Sequence, residues 1–277
     1  MTHGSDGPTP DMPPSPDIDT GVPHSARIWN YWLGGKDNYP VDREVGEEFL
    51  SIFPGQVDIA RAQRHFLARV VRFLGTEAGI RQFLDVGTGL PTVDNTHEVA
   101  QRVAPESRIV YVDNDPLVLA HARSLLTSSP EGTTCYVDAD LREPERILAE
   151  ARASLDFREP IALLLLGVLG HLADYEQARG IVRRLLDGLP PGSYLVQCDG
   201  TTTDASYVKA LADYRETIGV PYTPRAHEQI VAYFAGLELL EPGVVPIHQW
   251  RPEPGLVGVP AAVDESGGVG RKPLTPG

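Results

Sequence analysis

The run Ile161–Leu166, IALLLL, holds six apolar residues without a break. A strand with one face in water alternates apolar and polar positions, so an unbroken run this short fits a strand covered on both faces. It lies in the longest apolar stretch of the chain, residues 161–172, well below the roughly 20 residues that cross a bilayer. A core strand is expected, and the rest of the chain must supply helices for both of its faces.

The neighbouring pattern supplies them. Residues 57–74 place Ile59, Ala62, Phe66, Val70 and Phe73 three and four apart, as in an amphipathic helix. QFLDV (82–86) follows as a strand, 95–104 as a helix and RIVYVD (108–113) as a strand. A helix over 115–126 has Asp115 as N-cap and Pro116 at its first position. TTCYVDAD (133–140) is a third strand, ahead of a helix over 143–153. After the apolar run, Asp174 and Gln177 have capping-box spacing before Ala178, Ile181, Val182, Leu185 and Leu186. SYLVQCD (193–199) is a fifth strand, 204–218 a helix, and Thr223-Pro224 opens another. LELLEP (237–242) and VVPIHQW (244–250) read as two antiparallel strands, because the Pro242-Gly243 link is too short for a parallel crossover.

Such alternation implies an α/β fold, a doubly wound and mainly parallel sheet with helices on both faces. Residues 1–20, rich in Pro, and 254–277, rich in Gly and Pro, are expected as tails around a folded body of about 21–253. The formal charge of −14 disfavours nucleic acid or an anionic membrane as the main partner. Cys135 and Cys198 fall in strands, far from any metal-ligand spacing, and no metal site is expected. Buried, reduced thiols of a cytoplasmic protein are the reading, and no secretory signal is visible at the N-terminus.

In sheets of this kind ligands gather at the carboxyl ends of the strands. There the first strand runs into Gly87-Thr88-Gly89, whose glycines let the backbone turn sharply and lie against a ligand. The second ends in Asp113, able to accept both hydroxyls of a ribose. The third ends in Asp140, placed to receive the exocyclic amine of an adenine, with the Asn114 side chain and the Leu141 backbone beside the ring. Each feature has a plainer reading: a steric turn, a turn carboxylate, a solvated strand end. Together the three are more specific than any one.

DVGTG (85–89), YVDNDP (111–116) and ADL (139–141) on successive strand ends resemble the first three motifs of the class I S-adenosylmethionine-dependent methyltransferases. ARIWNYWLGGKDNYPVD (26–42), ARAQRHFLARVVRFL (60–74) and WRP (250–252) resemble a narrower actinobacterial family, long known as a domain of unknown function and now called S-adenosyl methyltransferase. The likeness spans about 21–252. It implies a Rossmann-like, seven-stranded sheet whose last strand is antiparallel, with 57–253 as the methyltransferase domain and S-adenosylmethionine as cofactor. Carried over, Asp85, Gly87 and Gly89 surround the methionine moiety, Asp113 the ribose, and Asn114, Asp140 and Leu141 the adenine. Pro91 stands where a third glycine is common, so the loop is expected to be longer and stiffer.

The carboxylate of the cofactor's amino-acid end needs cationic or amide donors. Arg64, and Arg27, Tyr31 and Lys36 in the 21–56 segment, could supply them. That segment is either a lid over a ligand or an arm packed by Trp29, Tyr31 and Trp32, with Arg64 then merely solvated. His171, beyond the fourth strand, is positioned as a general base; a loop-bonded histidine is the plainer alternative. No Asp-Pro-Pro-Tyr motif follows that strand, which with the charge points to a small molecule or an acid-tolerant protein group as acceptor. Two rivals share the features of the pocket: a nicotinamide-dependent oxidoreductase and a non-catalytic nucleoside-binding regulator.

Overall fold

The computed structural model describes residues 19–118, 120, 128–218, 222–252 and 262–274. Three helices lead in: α1 (Ser25–Trp32), α2 (Pro40–Ile52) and α3 (Gln56–Thr76). Then come β1 (Gln82–Val86), α4 (Thr96–Val103), β2 (Arg108–Asp113), β3 (Thr133–Asp138), α5 (Pro144–Ala151) and β4 (Ala162–Leu166). The remainder is α6 (Tyr175–Asp187), β5 (Tyr194–Gly200), α7 (Ala205–Ile218), α8 (His227–Ala232), β6 (Glu238–Leu239), β7 (Val245–Pro246) and β8 (Glu265–Arg271). Residues 1–18 of the expected 1–20 tail and most of the expected helix over 115–126 lie outside the described residues. The start of that helix is described, and Asp115 Oδ1 accepts from the Leu117 amide at 2.8 Å as an N-cap should.

The sheet order is β3-β2-β1-β4-β5-β8, with β6 and β7 both on the outer edge of β8. Strands β1 to β5 pair in parallel and β8 is antiparallel to β5. The sheet is thus seven positions wide, mainly parallel, with its last strand reversed. Strand β4 shows why IALLLL has no polar gap. Leu163 and Leu165 pack on one face with Ile147 of α5 and Ile181 and Leu185 of α6, while Ala162 and Leu164 pack on the other with Phe66 and Val70 of α3. Each face lies in its own apolar cluster, so neither favours a polar residue.

A third cluster stands over the carboxyl edge of the sheet. Ile28 and Trp32 of α1, Phe49 of α2 and Tyr207, Leu211 and Tyr214 of α7 pack together there. Buried Asp42 locks α1 to α2: it accepts from the His24 amide at 3.0 Å and the Tyr39 amide at 2.8 Å, and faces Arg27 Nε at 3.5 Å. Among the described residues no helix is long and apolar enough to cross a membrane.

Two expectations fail at the C-terminus. Residues 265–271, read as tail, form β8, which is buried at the sheet interior beside β5. Its glycines hide it from a hydrophobicity pattern, yet they are what lets it fit. A Cβ at Gly267 would lie 2.5 Å from the Gln197 carbonyl oxygen, and one at Gly270 2.9 Å from Phe234 Cδ1. The expected hairpin between LELLEP and VVPIHQW is also absent. Strands β6 and β7 each pair with β8 and not with each other, as two pieces of one interrupted edge strand. The helix expected at Thr223-Pro224 begins at His227 instead.

Candidate active site

The turn after β1 is tied to the end of β2 by backbone geometry. Gly87 has φ +75°, donates its amide to the Val112 carbonyl at 2.8 Å, and a Cβ there would lie 2.4 Å from Val168 Cγ2. Only glycine meets both demands. Gly89, at φ +66°, donates to Asp113 Oδ2 at 2.8 Å, and its would-be Cβ meets nothing within 4 Å, which leaves the backbone bare to the cavity. Asp113 Oδ1 accepts from the Asp115 amide at 3.0 Å. Burial pushes the Asp113 carboxyl up, and these amide bonds oppose the shift.

A cavity of about 320 Å³ opens along this edge, bordered by Asp85, Gly87, Gly89, Asp113, Asn114, Asp140 and Leu141 together. Asn114 Nδ2 donates to Asp140 Oδ2 at 3.3 Å, and the Arg142 amide donates to Asp140 Oδ1 at 2.7 Å, so the third strand end is held beside the second. Asp85 accepts from Thr96 Oγ1 at 2.6 Å, and burial pushes its carboxyl up to about 6.

Arg64 also borders the cavity and is half-buried, not solvated. Its Nη2 donates to the carbonyls of Val93 (3.1 Å) and Asp94 (2.8 Å), pinning the loop that carries Pro91. Its Nε is buried with no partner, and burial lowers its pKa while Asp85 opposes that shift.

Three expected residues are not brought here. Tyr31 turns away, its hydroxyl 3.2 Å from Glu47 Oε1 and its ring against Gly46, and Lys36 is exposed. The reason is helical phase. Trp29, Trp32 and Leu33, at i, i+3 and i+4, face the cavity from α1, which leaves Tyr31 on another side. Asn30 Oδ1 accepts from the Asp37 amide (3.1 Å) and Asn38 Nδ2 (2.9 Å), folding the Lys36 loop back on the helix. Arg27 is spent on Asp42 and on the Val22 carbonyl at 2.6 Å.

The other half of the cavity lies at the ends of β4, β5 and β8. His171 borders it, with its ring edge-on to Tyr222 at 5.3 Å between centroids. Two buried acids here have no counterpart in the sequence reading. Asp199, at the end of β5, accepts from the Gly170 amide (3.1 Å), Tyr222 hydroxyl (3.1 Å) and Gln197 Nε2 (2.7 Å). Glu265, the first residue of β8, accepts from Gln63 Nε2 at 2.8 Å and borders the cavity. Burial pushes both up to about 7, with Glu265 adding to the shift of Asp199. Asp199 was open to the strand-end rule that selected Asp113 and Asp140. Glu265 was hidden with the rest of β8. Of the two thiols, Cys198 is buried and Cys135 only half-buried, and both are unpaired.

Residues 11–273 match a family model described as S-adenosyl methyltransferase. A crystal structure of a DUF574-family protein from Streptomyces avermitilis is 46% identical, covers 92% of this chain and 100% of its own, and superposes with a TM-score of 0.86. One from Thermobifida fusca, described as a candidate methyltransferase, is 41% identical over 94% of this chain and 98% of its own, with a TM-score of 0.84. Among curated proteins none matches.

Proposed function

Because the chain belongs to the S-adenosyl methyltransferase family, we propose that this cavity holds S-adenosylmethionine and presents its methyl group to a small-molecule nucleophile. The carrying observation is the clasp between Gly89 and Asp113: a bare turn whose amide fixes one oxygen of a buried carboxylate at the tip of β2. Asp113 is assigned the ribose hydroxyls, Asn114, Asp140 and Leu141 the adenine, and Gly87, Gly89 and Asp85 the methionine moiety. The unpartnered Nε of Arg64 is the donor assigned to the methionine carboxylate.

The cofactor, when bound, supplies a methyl carbon activated by a sulfonium. What the chain adds is orientation and exclusion of water, a contribution of several kcal/mol when the reacting atoms are aligned. Helices α1, α2 and α7 roof the site, and the segment 21–56 acts as its lid in this reading. The aromatic roof and the net charge of −14 both favour a small acceptor over a nucleic acid. The unpaired thiols support a cytoplasmic setting.

Thermal shift separates this reading from its rivals. S-adenosylhomocysteine at about 100 times its Kd should add roughly 2.7 kcal/mol of stability, while NAD should add none. The opposite pattern would return the site to a dinucleotide enzyme. Transfer of a labelled methyl group into small-molecule extracts tests turnover against silent binding.

A further inference from the structure

Glu265 begins β8, and because β8 runs against β1 to β5 it begins at the edge where they end. Its register partner is Gly200, the last residue of β5. The side chain is 2% exposed; Oε1 is held by Gln63 and Oε2 has no hydrogen-bond partner, although the residue borders the cavity. A buried carboxyl oxygen without a donor is unfavourable unless something entering the cavity supplies one.

Among the described residues no cationic side chain supplies it, and the neutral Cys198 thiol is the one further side-chain donor besides Gln63 that reaches the carboxyl. The arginines bordering the cavity are Arg64 and Arg142, engaged respectively by the carbonyls of Val93 and Asp94 and by Asp140, and the histidines are His24, held by Asp115 at 2.9 Å, and His171, packed edge-on to Tyr222. Arg225 gives its guanidinium to the carbonyls of Leu172 and Ala173. Aromatic rings also border the cavity, Trp29, Trp32, Phe49, Tyr207, Tyr214 and Tyr222, and of these Tyr207 and Tyr222 sense the Glu265 charge. A cavity bordered by aromatic rings and by a carboxylate without a cationic partner suits an organic cation, by charge pairing and by attraction to the ring faces.

We propose that this half of the cavity receives an organic amine as methyl acceptor, with Glu265 Oε2 binding its ammonium group and taking one of its protons. The proposal rests on the methyl-transfer reading above. The ammonium N–H bond breaks toward Oε2 and leaves a lone pair on nitrogen. That pair forms the new N–C bond while the C–S bonding pair stays on sulfur. The products are a protonated methylamine, a neutral thioether and a neutral Glu265 carboxyl, which returns its proton to water.

A carboxyl raised to about 7 by burial is a stronger base than one in water. The titratable groups around it are Cys198 and Asp199 of β5, Tyr207 of α7, Tyr222 and the adjoining Asp264. Cys198 and the three tyrosines or acids that sense Glu265 are all raised, so at pH 8 the thiol and phenols are neutral and the carboxylates are the bases.

The test is calorimetric titration of the full chain at pH 8. S-adenosylhomocysteine is titrated first; then, with it saturating, phenethylamine, 2-phenylethanol and 3-phenylpropionate. Phenethylamine should bind at least tenfold more tightly than the alcohol, with no binding of the acid. Glu265→Gln should lose at least tenfold in amine affinity and hold S-adenosylhomocysteine within twofold of the wild type. Glu265→Asp, which keeps the charge, should keep a preference for the amine. Equal binding of the alcohol or the acid, no amine binding, or an unchanged amine affinity in Glu265→Gln would overturn the proposal. So would a loss of S-adenosylmethionine affinity beyond that of S-adenosylhomocysteine in Glu265→Gln, which would assign the carboxylate to the sulfonium. Failure of S-adenosylhomocysteine to bind the wild type marks the cofactor reading itself as wrong and the amine proposal with it. The wild-type comparison decides alone if a variant does not fold.

Discussion

Gly87 and Gly89 stand two residues apart in the same turn and do different things. Both hold a positive φ, but only Gly87 faces a side chain, the stiff β-branched Val168. Gly87→Ala therefore adds overpacking to left-handed strain, a loss of about 2–4 kcal/mol, seen as a lowered Tm. Gly89→Ala carries only the backbone strain, about 1–2 kcal/mol, and its methyl intrudes where the ligand lies. It should weaken S-adenosylhomocysteine binding more than it lowers Tm; the reverse ranking of the two variants would contradict this division of roles. Asp113→Ala should cost more than tenfold in cofactor affinity by calorimetry, since a charged acceptor of two hydroxyls is lost. Unchanged affinity would remove Asp113 from the ribose.

Among the elements, β8 is where sequence and structure part. Strands β1, β2, β4 and β5 were plain because their apolar runs are long and their tips carry Asp85, Asp113 and Asp199. Strand β8 reads ESGGVGR, with one apolar side chain, because its neighbours come too close for others. Periodicity registers side chains that pack and says nothing where backbones touch. The same gap concealed Glu265, so the cavity residues at the tips of β1, β2 and β3, and His171 beyond β4, were legible in the sequence, while the acid that opens β8 was not. Tyr31 and Lys36 were misplaced for another reason: a segment's composition does not give its helical phase. Gly267→Val should fail to give a cooperative thermal transition, because its side chain would meet the Gln197 carbonyl, part of the backbone of β5. A normal melt would mean that β8 is dispensable.

At the scale of the whole molecule, the carboxyl edge stores buried acids. Asp85 is raised to about 6 and Asp199 and Glu265 to about 7, against about 4 in the unfolded chain. Between those values the folded state holds protons that the unfolded chain has released, so these groups favour folding at lower pH and lose that effect as pH rises toward 7. His97 and His248, lowered by burial, act in the opposite sense below about 6.5. The Glu265 part is isolated by difference. The Tm of Glu265→Gln relative to the wild type should rise by a few degrees between pH 5 and pH 8. A constant difference would mean that Glu265 titrates as it would in water.

The central claim is that the tips of β1, β2 and β3 form one adenosyl site continuous with an acceptor chamber under α1, α2 and α7. A crystal structure of the full chain with S-adenosylhomocysteine tests it most directly. The ribose hydroxyls should lie on Asp113, the adenine beside Asn114, Asp140 and Leu141, and the sulfur toward the half of the cavity that holds Glu265. The same compound bound away from Asp113, or a cavity left empty at saturating concentration, would contradict the account.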